Sequence, residues 1–111
     1  MDDQRVIYIV GTQCQPEHEE EFNIWYNETH IPMLLKFKGL KNVTRYKIIS
    51  DREEYPKYMA VYEFPTRQLF EEYLNSPERT AALEEMRNTW SLGELEIKWQ
   101  AHYELLKTWR R

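Results

Sequence analysis

The chain has 111 residues, which reads as a single domain over residues 1–111, because domains run about 50–200 residues. Lys and Arg total 15 against 19 Asp and Glu, a formal net charge of −4, so no nucleic-acid partner is expected; phosphate recognition needs a basic stripe. A 41% hydrophobic and 31% charged composition is that of a globular chain, and no apolar run reaches the ~20 residues of a membrane span.

The start, Met1-Asp2-Asp3-Gln4-Arg5, lacks the basic and apolar stretches of a signal peptide, and a cytoplasmic protein is expected with no membrane partner. Arg5 to Gly11 follows as a strand whose positions Val6 to Val10 are all apolar or aromatic, as in a strand buried on both faces. Cys14, the one cysteine, excludes an internal disulfide and a cysteine-built zinc site. Pro16 opens a helical stretch with Glu17 and Glu19 to Glu21 early in it, where acidic side chains complement the helix dipole. Phe22, Trp25, Tyr26 and Thr29 form its buried stripe. Pro32 removes a backbone donor and biases Ile31 away from helical angles, which predicts a break near His30 and Ile31. A second helical piece with Met33, Leu34, Leu35 and Phe37 is expected to end at Gly39.

Asn42 to Ser50 alternates partly, Val43, Arg45, Lys47 and Ile49 against Thr44, Tyr46 and Ile48, and reads as an edge strand. Lys57 to Phe64 is a more apolar strand, joined to it by a polar connection as in a hairpin. Pro65-Thr66 starts a helix striped by Leu69, Phe70, Tyr73 and Leu74. Ser76-Pro77 starts another with Ala81, Ala82, Leu83, Met86 and Trp90, broken by Gly93. Last, Glu96 to Trp109 alternates Ile97, Trp99, Ala101, Tyr103 and Leu105 against polar partners, the clearest period-two signal in the chain.

The order strand, helix, strand, strand, helix, strand is the split βαβ, an α+β ferredoxin-like sandwich: a four-stranded antiparallel sheet, helices on one face, strands one and three central. The other sheet face is left uncovered, and a twofold pairing of sheet faces into a homodimer is the simplest cover.

The segment Phe22-Asn23-Ile24-Trp25-Tyr26-Asn27-Glu28-Thr29-His30-Ile31-Pro32, followed by Leu34-Leu35, Gly39-Leu40 and Arg45-Tyr46, resembles the EthD-like family of the dimeric α/β-barrel superfamily. The resemblance implies a homodimeric barrel. It also implies one of several roles: cofactor-independent monooxygenase, polyketide cyclase, isomerase, or non-enzymatic accessory protein of a pathway, with no cofactor required. In that family the residue matching His30 commonly lines the pocket. A shared fold does not carry a shared reaction.

His30 is the candidate catalytic residue, because an imidazole at a helix break can exchange a proton near neutral pH. The alternatives are that it lines a pocket without catalysing, or only caps the second helical piece. Tyr8, Trp25, Tyr26, Tyr62 and Trp99 are candidate walls of an apolar pocket for a small aromatic or polyketide-like molecule, although for any one of them taken singly core or dimer interface is the commoner place. Aromatic residues are 14% of the chain, more rings than so small an interior readily uses. His18 and His102 show no metal-ligand spacing with His30, so no metal is expected. Arg45 reads as a surface charge, with a hold on an anionic group as the alternative, and Glu84 and Glu85 read as a solvated helix face.

Overall fold

The computed structural model describes residues 4–91 and 93–111. Met1 to Asp3, on which the reading of the chain's start partly rests, lie outside the described residues. Strand β1 (Val6–Cys14) leads through a 3-10 turn (Pro16–His18) into α1 (Glu19–Trp25), a π-helical segment (Tyr26–His30) and α2 (Ile31–Leu34). Then come β2 (Asn42–Lys47), β3 (Tyr58–Phe64), α3 (Arg67–Leu74), α4 (Pro77–Thr89) and β4 (Leu95–Glu104). The sheet order is β2-β3-β1-β4 with every neighbouring pair antiparallel, the ferredoxin-like arrangement, β1 and β3 at the centre.

Alternation decides which side chains reach the helices. Val6, Tyr8 and Val10 of β1 and Tyr58, Ala60, Tyr62 and Phe64 of β3 are buried under them. Their neighbours Ile7, Ile9, Met59 and Val61 are only half-buried, so β1 is not covered on both faces within one chain. These four residues, with Tyr46, Trp99, Ala101 and Tyr103, make an apolar face with no helix over it.

Strand β4 carries an irregularity that period-two reading misses. Gly11 pairs with Trp99, but Thr12 pairs with Ile97, so Lys98 is an extra residue in a β-bulge. The bulge turns Ile97 toward the helices and leaves Trp99 on the open face, splitting the expected single stripe. Strand β4 ends at Glu104 rather than continuing to Trp109, which is largely exposed.

The predicted helix break at Pro32 is replaced by a wider turn. Ile31 keeps helical angles (φ −64°, ψ −44°), and its N–H donates to the carbonyl of Tyr26, five residues back. A straight α-helix puts Pro32 against the carbonyl of residue 28; a π turn relieves that conflict without ending the helix. It also suits the side-chain spacing. Phe22, Tyr26, His30 and Leu34 are all buried at four-residue steps, which drift by about 40° each at 3.6 residues per turn. A wider turn holds them on one face.

The second helical piece ends at Leu34, short of Phe37. Gly39 is no left-handed cap, since Gly93 is the one glycine with positive φ (+91°) among the described residues. Gly39 is needed for space: a Cβ there would lie 2.5 Å from the Phe37 ring. The later helices start as expected, Thr66 Oγ accepting from the Leu69 N–H and Ser76 Oγ from the Arg79 N–H.

Candidate functional site

Between the sheet, the π-helical segment, α2 and α4 lies a cavity of about 50 Å³. The sheet supplies Tyr8, Val10, Thr12, Tyr62, Ile97 and Gln100; the helical side supplies Tyr26, His30 and Leu34, then Arg79, Leu83 and Met86. That volume holds roughly four water-sized groups.

His30 ends the π-helical segment and is 6% exposed. Its ring stacks on Trp25, centroids 4.8 Å apart and planes 24° from parallel, and meets Tyr26 edge-on at 5.0 Å. Its Nδ1 is buried and has no hydrogen-bond partner among the described residues. Burial drives the imidazole pKa down to about 4, against a smaller upward pull from the Glu85 carboxylate. At neutral pH the ring is uncharged, an acceptor on one nitrogen and a donor on the other.

Around it the hydroxyls are paired. Tyr26 and Tyr62 share a hydrogen bond of 2.7 Å, and Tyr8 donates to the Gln100 side chain. Burial raises the pKa of all three tyrosines, most of all Tyr62, so they serve as proton donors and not as phenolates.

The structure thus brings Tyr8, Tyr26, His30 and Tyr62 to one cavity. Trp25 stands behind the wall, stacked on His30, with its indole N–H donating to Glu85 at 2.9 Å. Trp99 is not brought there; the bulge leaves it on the opposite sheet face, beside Tyr46 and Met59.

Two residues read from the sequence as solvated have work inside the structure. Arg45 lies with its guanidinium 4.4 Å over the Tyr26 ring and donates to the side chains of Asn23 (2.9 Å) and Asn27 (2.8 Å). It clamps β2 to α1 and the π segment. Glu85 holds Trp25 behind His30. A charge at a single strand or helix position gives no sign of such a partner.

Arg79 of the wall carried a signal that could have been read. It sits in the first turn of α4, where a cation opposes the helix dipole. Among the described residues no cluster of three or more His, Cys, Asp or Glu is placed to hold a metal, and no helix is long and apolar enough to cross a membrane.

The profile of a family described as "Domain of unknown function (DUF4286)" matches residues 5–91. No curated protein matches the sequence. Among solved structures, an EthD family protein from Bacillus halodurans aligns with a TM-score of 0.68 at 17% identity, over 93% of this chain and 99% of that one. SnoaB, a cofactor-independent oxygenase from Streptomyces nogalater, aligns at 0.64 and 13%, over 95% and 96%. A dimeric ferredoxin-like protein of unknown function from Thermobifida fusca aligns at 0.57 and 16%, over 95% and 94%. The resemblance to EthD-like proteins is therefore present in the whole fold.

Proposed function

Because the chain belongs to the DUF4286 family, whose description names no activity, its function has to be read from the site; we propose that it is a homodimer binding a small, largely apolar or aromatic molecule beside His30. Cofactor-independent proton transfer is the chemistry of that site. The observation that carries the reading is a buried His30 whose Nδ1 has no partner among the described residues, lining a cavity also lined by Tyr8, Tyr26 and Tyr62.

The neutral imidazole accepts a proton from an acidic C–H or O–H of the ligand. Within the Tyr26–Tyr62 pair one hydroxyl donates to the other, and the O–H left over, that of Tyr26, donates to the oxyanion that develops. The imidazolium so formed is favoured by the ligand's new negative charge and by Glu85. The resulting anion is the common starting point for isomerisation, cyclisation or reaction with dioxygen. The cavity takes only a small group as it stands. To admit a ring, the long side chains of Met86 and Gln100 have to swing aside.

A non-enzymatic ligand-binding role is the second reading. A pKa of about 4 makes His30 a weak base in the empty pocket, which favours it. The apolar sheet face of Ile7, Ile9, Met59 and Val61 supports the homodimer, as does the fold shared with a dimeric protein.

Ligand-observed NMR in D2O with small phenols and 1,3-dicarbonyl compounds tests the proposal. Binding with faster C–H exchange, lost in His30→Gln, is the expected result. Binding with unchanged exchange supports the carrier reading. No binding by any member of the series overturns both.

A further inference from the structure

We propose that Arg79 is a specificity residue at the mouth of this cavity, holding a carboxylate on the ligand whose opposite end reaches His30. The proposal rests on the reading of the cavity as a ligand site and adds the ligand's charge.

Four observations converge. Among the described residues that line the cavity, Arg79 is the one permanently charged group, and no acidic residue faces it there. No carboxylate among the described residues pairs with its guanidinium. Its hydrogen bond to the Leu74 carbonyl is long, 3.4 Å, and the Tyr73 ring lies 6.0 Å away, which leaves most of the five guanidinium donors open. Finally, it occupies the first turn of α4, whose backbone dipole already points positive charge at the same place. A bound anion would satisfy both.

Tyr8 completes the arrangement. Arg79 and Tyr8 line the same cavity, and the Arg79 charge pulls against the burial that raises the pKa of the Tyr8 hydroxyl, so a carboxylate at the mouth would meet a guanidinium fork and a phenol donor together. Gln100, which now accepts from Tyr8, is exposed and free to turn away. The ligand class is then a small acid that also carries a hydroxyl or keto group, its carboxylate toward Arg79 and its acidic proton toward His30.

Isothermal titration with matched probes tests this: acetoacetate against acetoacetamide, and 2-hydroxybenzoate against 2-hydroxybenzamide. The wild type should prefer each acid by about tenfold or more, the scale of one charge-assisted contact. Arg79→Met should abolish the preference while changing amide affinity less than about twofold; Arg79→Lys should keep part of it. His30→Gln should weaken acid and amide alike. Equal binding of acid and amide by the wild type overturns the role of Arg79 and leaves the cavity reading intact. Binding of no probe overturns both. Should Arg79→Met fail to fold, the wild-type ratio and Arg79→Lys still decide.

Discussion

The imidazole of His30 lies almost flat against the indole of Trp25, 4.8 Å away, and the far edge of that indole is fastened to Glu85. The stack seals one face of the histidine from water. The carboxylate at its back keeps a negative charge near enough to favour the protonated ring. An uncharged His30 at neutral pH follows from that burial; under the proposed chemistry the same carboxylate would support the cation formed when a ligand loses a proton.

Stability should carry the mark of this burial. The folded pKa of about 4 lies below the unfolded value of 6.5, so the His30 contribution is intact above pH 6.5. It declines as pH falls through 6.5 to about 4, because the unfolded chain binds the proton first. Between pH 7.5 and 4, the stability of wild type relative to His30→Gln should drop by up to about 3 kcal/mol. Urea titrations of both proteins across that range measure it.

Function should follow the same titration. The acid limb for binding a neutral probe should fall near pH 4 instead of 6.5. Glu85→Gln should move it lower, since the carboxylate supports the cation. An NMR titration of the His30 ring carbons locates both midpoints. A wild-type midpoint at 6.5 would contradict the buried placement.

The sheet's uncovered face gives a test of assembly. Val61→Glu puts a charge amid Ile7, Ile9 and Met59 without touching the cavity side, and should weaken the proposed homodimer by at least about a hundredfold. Analytical ultracentrifugation reads the change. Glu78→Gln, at the start of α4, serves as a control that leaves the dimer intact.

At Gly11 the constraint is room and not conformation. A Cβ there would stand 2.6 Å from Pro56 Cγ and 3.0 Å from the Trp99 indole nitrogen. Gly11→Ala should cost about 1–3 kcal/mol, read by thermal or urea unfolding.

Most of the fold was legible because it is written in local signals. Ser76-Pro77 and Thr66 open their helices as capping chemistry demands, and the apolar runs at Val6–Val10 and Tyr58–Phe64 mark the central strands. The site was legible in part, His30, Tyr8, Tyr26 and Tyr62 reaching one cavity. Trp99 could not be placed because one unpaired residue, Lys98, reverses the alternation, and bulges follow from tertiary fit. Arg45 and Glu85 escaped notice because their partners, Asn23 and Trp25, are 22 and 60 residues away. Pro32 pointed to the right place and the wrong remedy: the helix widened where a break was expected.

That widened turn makes the chain between Tyr26 and His30 sensitive to residue count in a way an ordinary helix is not. Shortening it by one residue would let a tighter coil form. It would also twist everything before it out of phase, carrying Phe22 and Trp25 away from the sheet and stripping His30 of its stacking partner. Length polymorphism should therefore gather in the 48–56 connection and avoid these five positions.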